Sequence, residues 1–159
     1  MAVSVEAVAR LFAGADGAYR FARWGRPLVP VLFGVEADTL AMFKAACGAV
    51  AALTRHGIAE TDVEMGANVL VFLVRDWAEL CAIPDMTALV PGIEATVARL
   101  DAAGARQYRL FRLDPGGAIR PAFLFLRMNA ALVAVPVADL AFEQAVRLAL
   151  LWGPNAFAG

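Results

Sequence analysis

The sequence predicts an α+β fold with a mixed or antiparallel sheet of four or five strands, packed by about four helices. Two observations support this prediction. Dense apolar runs typical of strands alternate with amphipathic segments typical of helices through the first two thirds of the chain. A strand–turn–strand pattern around the turn sequence DPGG then follows. Strands separated by helices and then joined in a hairpin favour a sandwich with a mixed sheet.

The first half of the chain alternates between helical and extended patterns. Apolar residues three and four apart predict helices over residues 3–13 and 39–55. The run at residues 26–34 predicts a strand that is short or at the sheet edge, because its two prolines cannot donate to a neighbouring strand. The polar stretch 58–67 predicts a loop. The apolar run 68–75 predicts a strand buried on both faces.

The second half continues the pattern to a last helix that Gly153 and Pro154 end. Residues 83–92 are irregular. The other predicted elements are a short helix over 76–82, a helix over 92–104, hairpin strands over 107–114 and 118–128, a strand over 130–137 and a helix that starts at Asp139 or just before it. No repeat or linker interrupts the chain, so a single α+β domain over residues 1–159 is expected.

The composition favours an interaction protein. Hydrophobic residues make up 61% of the chain, against about 45–50% in ordinary globular chains. Such a surplus suits a subunit interface or a lipid-facing surface. No uncharged apolar run approaches the roughly 20 residues of a membrane span, and the amino terminus does not resemble a signal peptide, so a cytoplasmic location is expected. Nucleic-acid binding is disfavoured, because 15 acidic residues outnumber 14 basic ones.

The residues that usually carry chemistry are scarce. A catalytic zinc needs three protein ligands, whereas this chain has one histidine and two separated cysteines. We therefore expect no metal site, no cofactor and no catalytic residue. Cys47 and Cys81 are predicted to be buried, reduced thiols. His56 is predicted to lie at a helix end, where its charge complements the helix dipole.

The acidic residues Glu60, Asp62 and Glu64 alternate along the predicted loop. They could hold a hard cation such as Ca²⁺, which prefers carboxylate oxygens. A solvated acidic loop is the favoured interpretation.

Several polar residues remain as candidate ligand-binding groups. Arg23 and Arg26 flank Trp24, where they could bind an anion or stack on the indole; alternatively, Trp24 packs in the core and the arginines pair with carboxylates. Asn68 opens a predicted strand and could instead satisfy loop backbone. The candidate ligand-binding residues are Arg23, Trp24, Arg26, Asn68 and Glu143, with Asp76 as a further candidate.

Three sequence patches resemble a bacterial family of uncharacterised proteins with a zincin-like fold. RWGRPLVPVLFG resembles that family's Arg-Trp-x-x-Pro strand, GANVLVFLV its Ala-Asn strand, and FEQAVRLALLWGPNAF its carboxy-terminal helix, where metallopeptidase relatives carry HExxH. If Glu143 corresponds to the glutamate of that motif, Phe142 and Val146 occupy the ligand positions. The resemblance therefore implies a zincin-like scaffold without metal, in which Glu143, Gln144 and Arg147 are either remnants of a cleft or surface residues paired at i, i+4.

Three hypotheses for function follow. The first is a non-catalytic, self-associating interaction or scaffold module, expected to be a homodimer that uses a sheet edge or the helix over 39–55. The alternative is a small-molecule or anion-binding protein, or an enzyme, that uses arginine and carboxylate groups without metal; it requires these groups to converge on one pocket. The third is membrane-surface association through the helix over 3–13.

Overall fold

The computed structural model describes residues 2–158, which form seven helices and one four-stranded mixed sheet, so the predicted α+β fold is confirmed. In chain order the elements are α1 (Val5–Arg10), β1 (Pro30–Phe33), α2 (Ala37–Leu53), β2 (Val69–Val74), α3 (Glu79–Ala82), α4 (Met86–Leu89), α5 (Ile93–Ala102), β3 (Gln107–Leu113), β4 (Ile119–Arg127), α6 (Ala130–Val133) and α7 (Val137–Ala149).

The sheet has the strand order β1-β2-β4-β3. Strands β1, β2 and β4 are parallel, while β3 pairs antiparallel with β4 as the predicted hairpin requires. Strand β1 is short and lies at an edge, as its two prolines predict. Parallel neighbours need long connections, which the helices supply.

Helices cover both faces of the sheet. On one face, α2 and α7 pack on residues such as Val71 and Leu124. On the other face, α3, α4 and α5 pack on Phe72, Phe123 and Phe125. The alternation follows from the period of two along a strand. Strands β2 and β4 therefore lie between two apolar layers, which confirms the burial of β2 on both faces predicted from its continuous apolar run.

Two segments differ from the sequence prediction. The strand expected over 130–137 is wrong: α6 occupies its first half, because the side chain of Asn129 accepts a hydrogen bond from the Leu132 amide at 3.1 Å and starts a helix. The segment expected to be irregular contains α4. The last helix begins at Val137, just before Asp139, as predicted.

The amino-terminal segment docks on the end of the chain. Helix α1 has no buried residue of its own, but Phe12 behind it stacks on Trp152 with ring centroids 5.0 Å apart. The Gly153 amide donates to the carbonyl oxygen of Leu11 at 2.7 Å. A Cβ atom at Gly153 would overlap the carbonyl group of Ala13, so the close approach requires glycine.

None of the helices within residues 2–158 combines the length and apolar character that crossing a bilayer demands.

Candidate functional site

The predicted ligand-binding residues lie in separate parts of the fold. Trp24 is only 2% exposed, and its indole nitrogen donates to the carbonyl oxygen of Leu148 at 2.7 Å. It belongs to the main core, as the alternative of core packing predicts. Almost none of its surface is left to contact a ligand.

Arg23 and His56 meet at the end of α2. The Nε atom of Arg23 donates to His56 Nε2 at 3.3 Å, and its Nη2 donates to the carbonyl oxygen of Thr54 at 3.1 Å. Burial and the neighbouring Arg23 charge lower the pKa of His56, and a nitrogen that accepts a hydrogen bond is unprotonated. His56 lies at the end of α2 as predicted. The charged group that contacts a carbonyl oxygen there is Arg23, and the lowered pKa disfavours a charged His56 in that role.

Arg26 joins a group of ion pairs at the amino end of β2. Arg26 pairs with Glu64, and Arg120 donates to the other oxygen of Glu64 at 2.6 Å. Hydrogen bonds from both arginines lower the pKa of Glu64. Asp62 lies within 4.0 Å of each arginine. Two guanidinium groups and two carboxylates thus neutralise each other here.

Asp62 and Asn68 tie the acidic loop to the sheet. Asp62 accepts from the backbone amides of Glu64 and Met65 at 2.9 and 3.0 Å, which lower its pKa. Asn68 donates to Asp62 at 3.1 Å and accepts from the Val29 amide at 2.8 Å. The prediction of a solvated acidic loop is wrong for Asp62, which is 6% exposed.

The same loop has no arrangement for a cation. Within residues 2–158, no group of three or more histidine, cysteine or carboxylate side chains is placed to hold a metal ion.

Two further candidates have local roles. Asp76 accepts from the Ala78 amide at 3.1 Å just before α3. Cys47 is buried, and burial raises the pKa of its thiol to about 11. Cys81 is exposed, so its predicted burial is wrong: it lies on the outer side of the four-residue helix α3.

A cleft of about 780 Å³ lies where β1, β2 and β4 end and where α2 and α7 begin. Ligands commonly bind at this edge of parallel sheets. Its charged groups are Glu36, Arg75 and Glu79. Glu79 already accepts from the amides of Arg75 and Asp76 at 3.0 and 2.9 Å. The mixed charges do not define one ligand chemistry.

A second pocket, of about 370 Å³, lies between β3 and the segment that follows α7. We call it the arginine pocket. Its polar lining is Gln107, Arg109 and Arg147, and its aromatic lining includes Phe111, Trp152 and Phe157.

Arg109 has only neutral hydrogen-bond partners in this pocket. Its Nη1 atom donates to Gln144 Oε1 at 2.9 Å and to Gln107 Oε1 at 3.1 Å, while Gln144 Nε2 donates to Gln107 Oε1 at 2.9 Å. Across residues 2–158, no carboxylate lies within 4.0 Å of its guanidinium group. Burial, aided by the Arg147 charge and opposed by Glu143, lowers the pKa of Arg109 to about 10.

Arg147, unlike Arg109, pairs with a carboxylate and also packs against an aromatic ring. Its Nη2 atom pairs with Glu143 at 2.7 Å, which confirms the predicted i, i+4 pair. Its guanidinium carbon lies 4.4 Å from the centre of the Phe157 ring. Its buried Nε atom has no hydrogen-bond partner in the part of the chain that the structure describes. Glu143, a predicted ligand-binding residue, is therefore the counter-ion of a pocket residue.

Sequence reasoning missed Arg109, Gln107 and the role of Gln144. One signal for them was present: Gln144 lies among Ala141, Ala145 and Leu148 on the apolar side of an amphipathic helix. A polar side chain in such a position requires a buried partner.

No protein-family model, no curated protein and no solved structure matches this chain. The zincin-like resemblance accordingly stays a prediction.

Proposed function

We propose that this protein binds a small anionic molecule in the arginine pocket. One observation carries the proposal: Arg109 is partly buried beside a second arginine, and among residues 2–158 its own hydrogen bonds reach only amide oxygens. Removing a guanidinium ion from water without a counter-charge is costly, and buried charges in proteins are generally paired with an opposite charge, which a bound anion would supply here.

The donors suit an oxyanion. Arginine presents planar, charge-assisted N–H groups that match a carboxylate or phosphate. Burial strengthens each such bond, because the local dielectric constant is lower than that of water. The pocket is open to solvent and falls within the roughly 300–1,000 Å³ range of small-molecule sites.

Thermal unfolding in a panel of anions tests the proposal. Benzoate, acetate and phenyl phosphate are compared with chloride at constant ionic strength and pH 7.5. An anion at ten times its dissociation constant adds about 1.4 kcal/mol of stability, or roughly 3–6 °C in Tm. We expect at least one anion to give this shift, and Arg109→Gln to abolish it.

Arg106→Gln is the matched control, because it removes the same charge from an exposed residue three positions earlier. It should keep the anion shift. Arg109→Lys is a second variant that retains the charge and should retain part of the shift. Equal Tm values in all anions, or equal shifts in wild type and Arg109→Gln, would contradict the proposal.

Self-association is a second candidate function, favoured by a different surface. The side chains of Val3, Val5, Val8, Tyr19 and Phe21 are all exposed; we call them the N-terminal apolar face. Four of them, all except Phe21, line a groove of about 430 Å³ together with Ala9. Exposed apolar clusters of this kind mark interaction sites.

This face suits a homodimer better than the surfaces that the sequence suggests. Helix α2 already packs against α7, with Cys47 and Val50 buried between them. Strand β1 offers an edge of only four residues. The N-terminal apolar face carries little charge, since only Glu6 and Arg10 flank it on α1, and this neutrality disfavours adsorption to anionic lipid.

Sedimentation velocity at 1–100 μM, a range set by roughly micromolar dimer affinity, tests self-association. We expect a dimer that Val5→Ser together with Val8→Ser converts to a monomer. Val63→Ser, which removes an exposed valine outside the face, should leave it intact. A wild-type monomer throughout this range, or flotation of the chain with phosphatidylserine vesicles in place of dimerisation, would contradict this candidate.

A further inference from the structure

We infer that the ligand of the arginine pocket is an aromatic monocarboxylate, an inference that rests on the proposed anion-binding function. The charged residues in and next to the pocket indicate that the ligand carries a single negative charge. Arg109 and Arg147 contribute two positive charges, and Glu143, bonded to Arg147, contributes one negative charge. The difference, 2 − 1, leaves one positive charge for the ligand to neutralise.

A phosphate group fits this balance less well. A phosphate monoester carries about −1.5 to −2 charges near pH 7. Bound here, it would leave excess negative charge close to the Glu143 carboxylate, which pairs with Arg147 of the pocket at 2.7 Å. Like charges in a partly desolvated site repel, so a carboxylate is favoured.

Free donors are available at the polar end. Arg109 uses Nη1 for its two amide contacts, and no hydrogen bond of its Nη2 or Nε atoms occurs within residues 2–158. The amide oxygen of Gln107 accepts two hydrogen bonds, which orients its side chain and leaves its amide nitrogen as a donor. A carboxylate with two oxygens can accept from these groups together.

The other walls select a flat apolar body. Trp152 and Phe157 meet edge to face with centroids 5.2 Å apart, and Phe111, on the same face of β3 as Arg109, lines the pocket beside them. Phe12 stacks behind Trp152 and holds its ring in place. Rigid aromatic walls bury apolar area and favour ring partners in stacked or edge contacts.

Isothermal titration calorimetry with a matched set of probes tests the inference. Benzoate, acetate, phenyl phosphate and benzamide separate the contributions of ring and charge. We expect benzoate to bind about tenfold or more tightly than acetate, because the ring adds buried apolar area. It should also bind more tightly than phenyl phosphate, which has the same ring, and than neutral benzamide.

A substitution in the aromatic wall of the pocket tests whether the preference for benzoate arises there. Phe157→Leu should reduce the preference for benzoate over acetate by at least twofold, because it removes one aromatic wall while leaving both guanidinium groups. Phe142→Leu changes a similarly exposed phenylalanine outside the pocket and should preserve the preference.

The outcomes separate the two proposals. If acetate or phenyl phosphate binds as tightly as benzoate and Arg109→Gln abolishes that binding, the aromatic monocarboxylate is overturned and anion binding stands. If none of the anions binds to the wild-type chain, anion binding itself fails, and the ligand class with it.

Discussion

Three polar side chains within residues 2–158 are almost fully buried: Asp62, Asn68 and Gln144. Two of them hold the fold together, because Asn68 satisfies the Val29 amide and contacts Asp62. Gln144 contacts Arg109, and it connects the core to the arginine pocket. The same physical requirement, that buried polar atoms be bonded, therefore produces both a structural cluster and a candidate site.

Asn68→Ala should destabilise the protein by about 2–4 kcal/mol. The substitution leaves the Val29 amide and one Asp62 oxygen without their partner in a buried position. Urea denaturation measures the change. Asn155→Ala, at an exposed position, should alter the free energy of unfolding by less than about 0.5 kcal/mol. A loss no larger than that of Asn155→Ala would show that Asn68 does not tie the loop to the sheet.

His56 should make stability depend on pH. Its folded pKa is lower than the unfolded value of 6.5, so the unfolded chain binds more protons near that pH. The contribution of neutral His56 is complete above pH 6.5 and is lost as the pH falls through this value towards the folded pKa.

Urea melts between pH 7.5 and 5.5, a window around the ordinary histidine pKa of about 6.5, measure this effect. His56→Gln keeps an acceptor for Arg23 and cannot titrate, so the variant should lose less stability than wild type on acidification. Parallel losses in the two proteins would contradict the assignment.

Sequence reasoning at the residue scale succeeded where partners are close along the chain. The Glu143–Arg147 pair follows from helical spacing alone. The partners of Arg109 could not be predicted in this way, because Gln144 is 35 residues away and reaches Arg109 only after α7 packs beside β3. The sequence predicted a solvated acidic loop because the partner of Glu64, Arg120, is 56 residues away along the chain and meets it only in the folded protein.

At the scale of elements, periodicity predicted the long helices and the central strands. The apolar run of β2 and the DPGG hairpin are strong local signals, and both elements form as predicted. The missed helix α6 depends on a cap, because Asn129 overrides the β-propensity of a Val- and Leu-containing segment. A single cap decides such a short element, and hydrophobic patterning does not detect it.

Gly153→Ala should loosen the docking of the amino-terminal segment. The new Cβ atom overlaps the Ala13 carbonyl group, and relieving this overlap costs about 1–3 kcal/mol. Hydrogen exchange should then accelerate in residues 4–20 more than in the sheet.

Gly48→Ala is the control with the opposite sign. Gly48 lies within α2 with open space around an added Cβ atom, so alanine should stabilise the helix by roughly 0.5–1 kcal/mol. Unchanged exchange in residues 4–20 of Gly153→Ala would contradict the close approach of the two chain ends.

At the scale of the whole molecule, the polar groups that stabilise the fold and those of the candidate binding site lie in different parts of the sheet. The amino end of β2 carries a neutral group of ion pairs, whereas the arginine pocket at the β3 edge retains excess positive charge. Composition predicted the surplus of apolar surface, part of which is the N-terminal apolar face. It could not locate the pocket, because β3, α7 and the chain end create it only in the folded protein.

The most direct test of anion binding is a crystal structure of the chain with saturating benzoate. We predict carboxylate oxygens within about 3.2 Å of guanidinium nitrogens of Arg109, with the ring against Trp152 and Phe157. An empty arginine pocket, or benzoate bound only elsewhere on the molecule, would contradict the account.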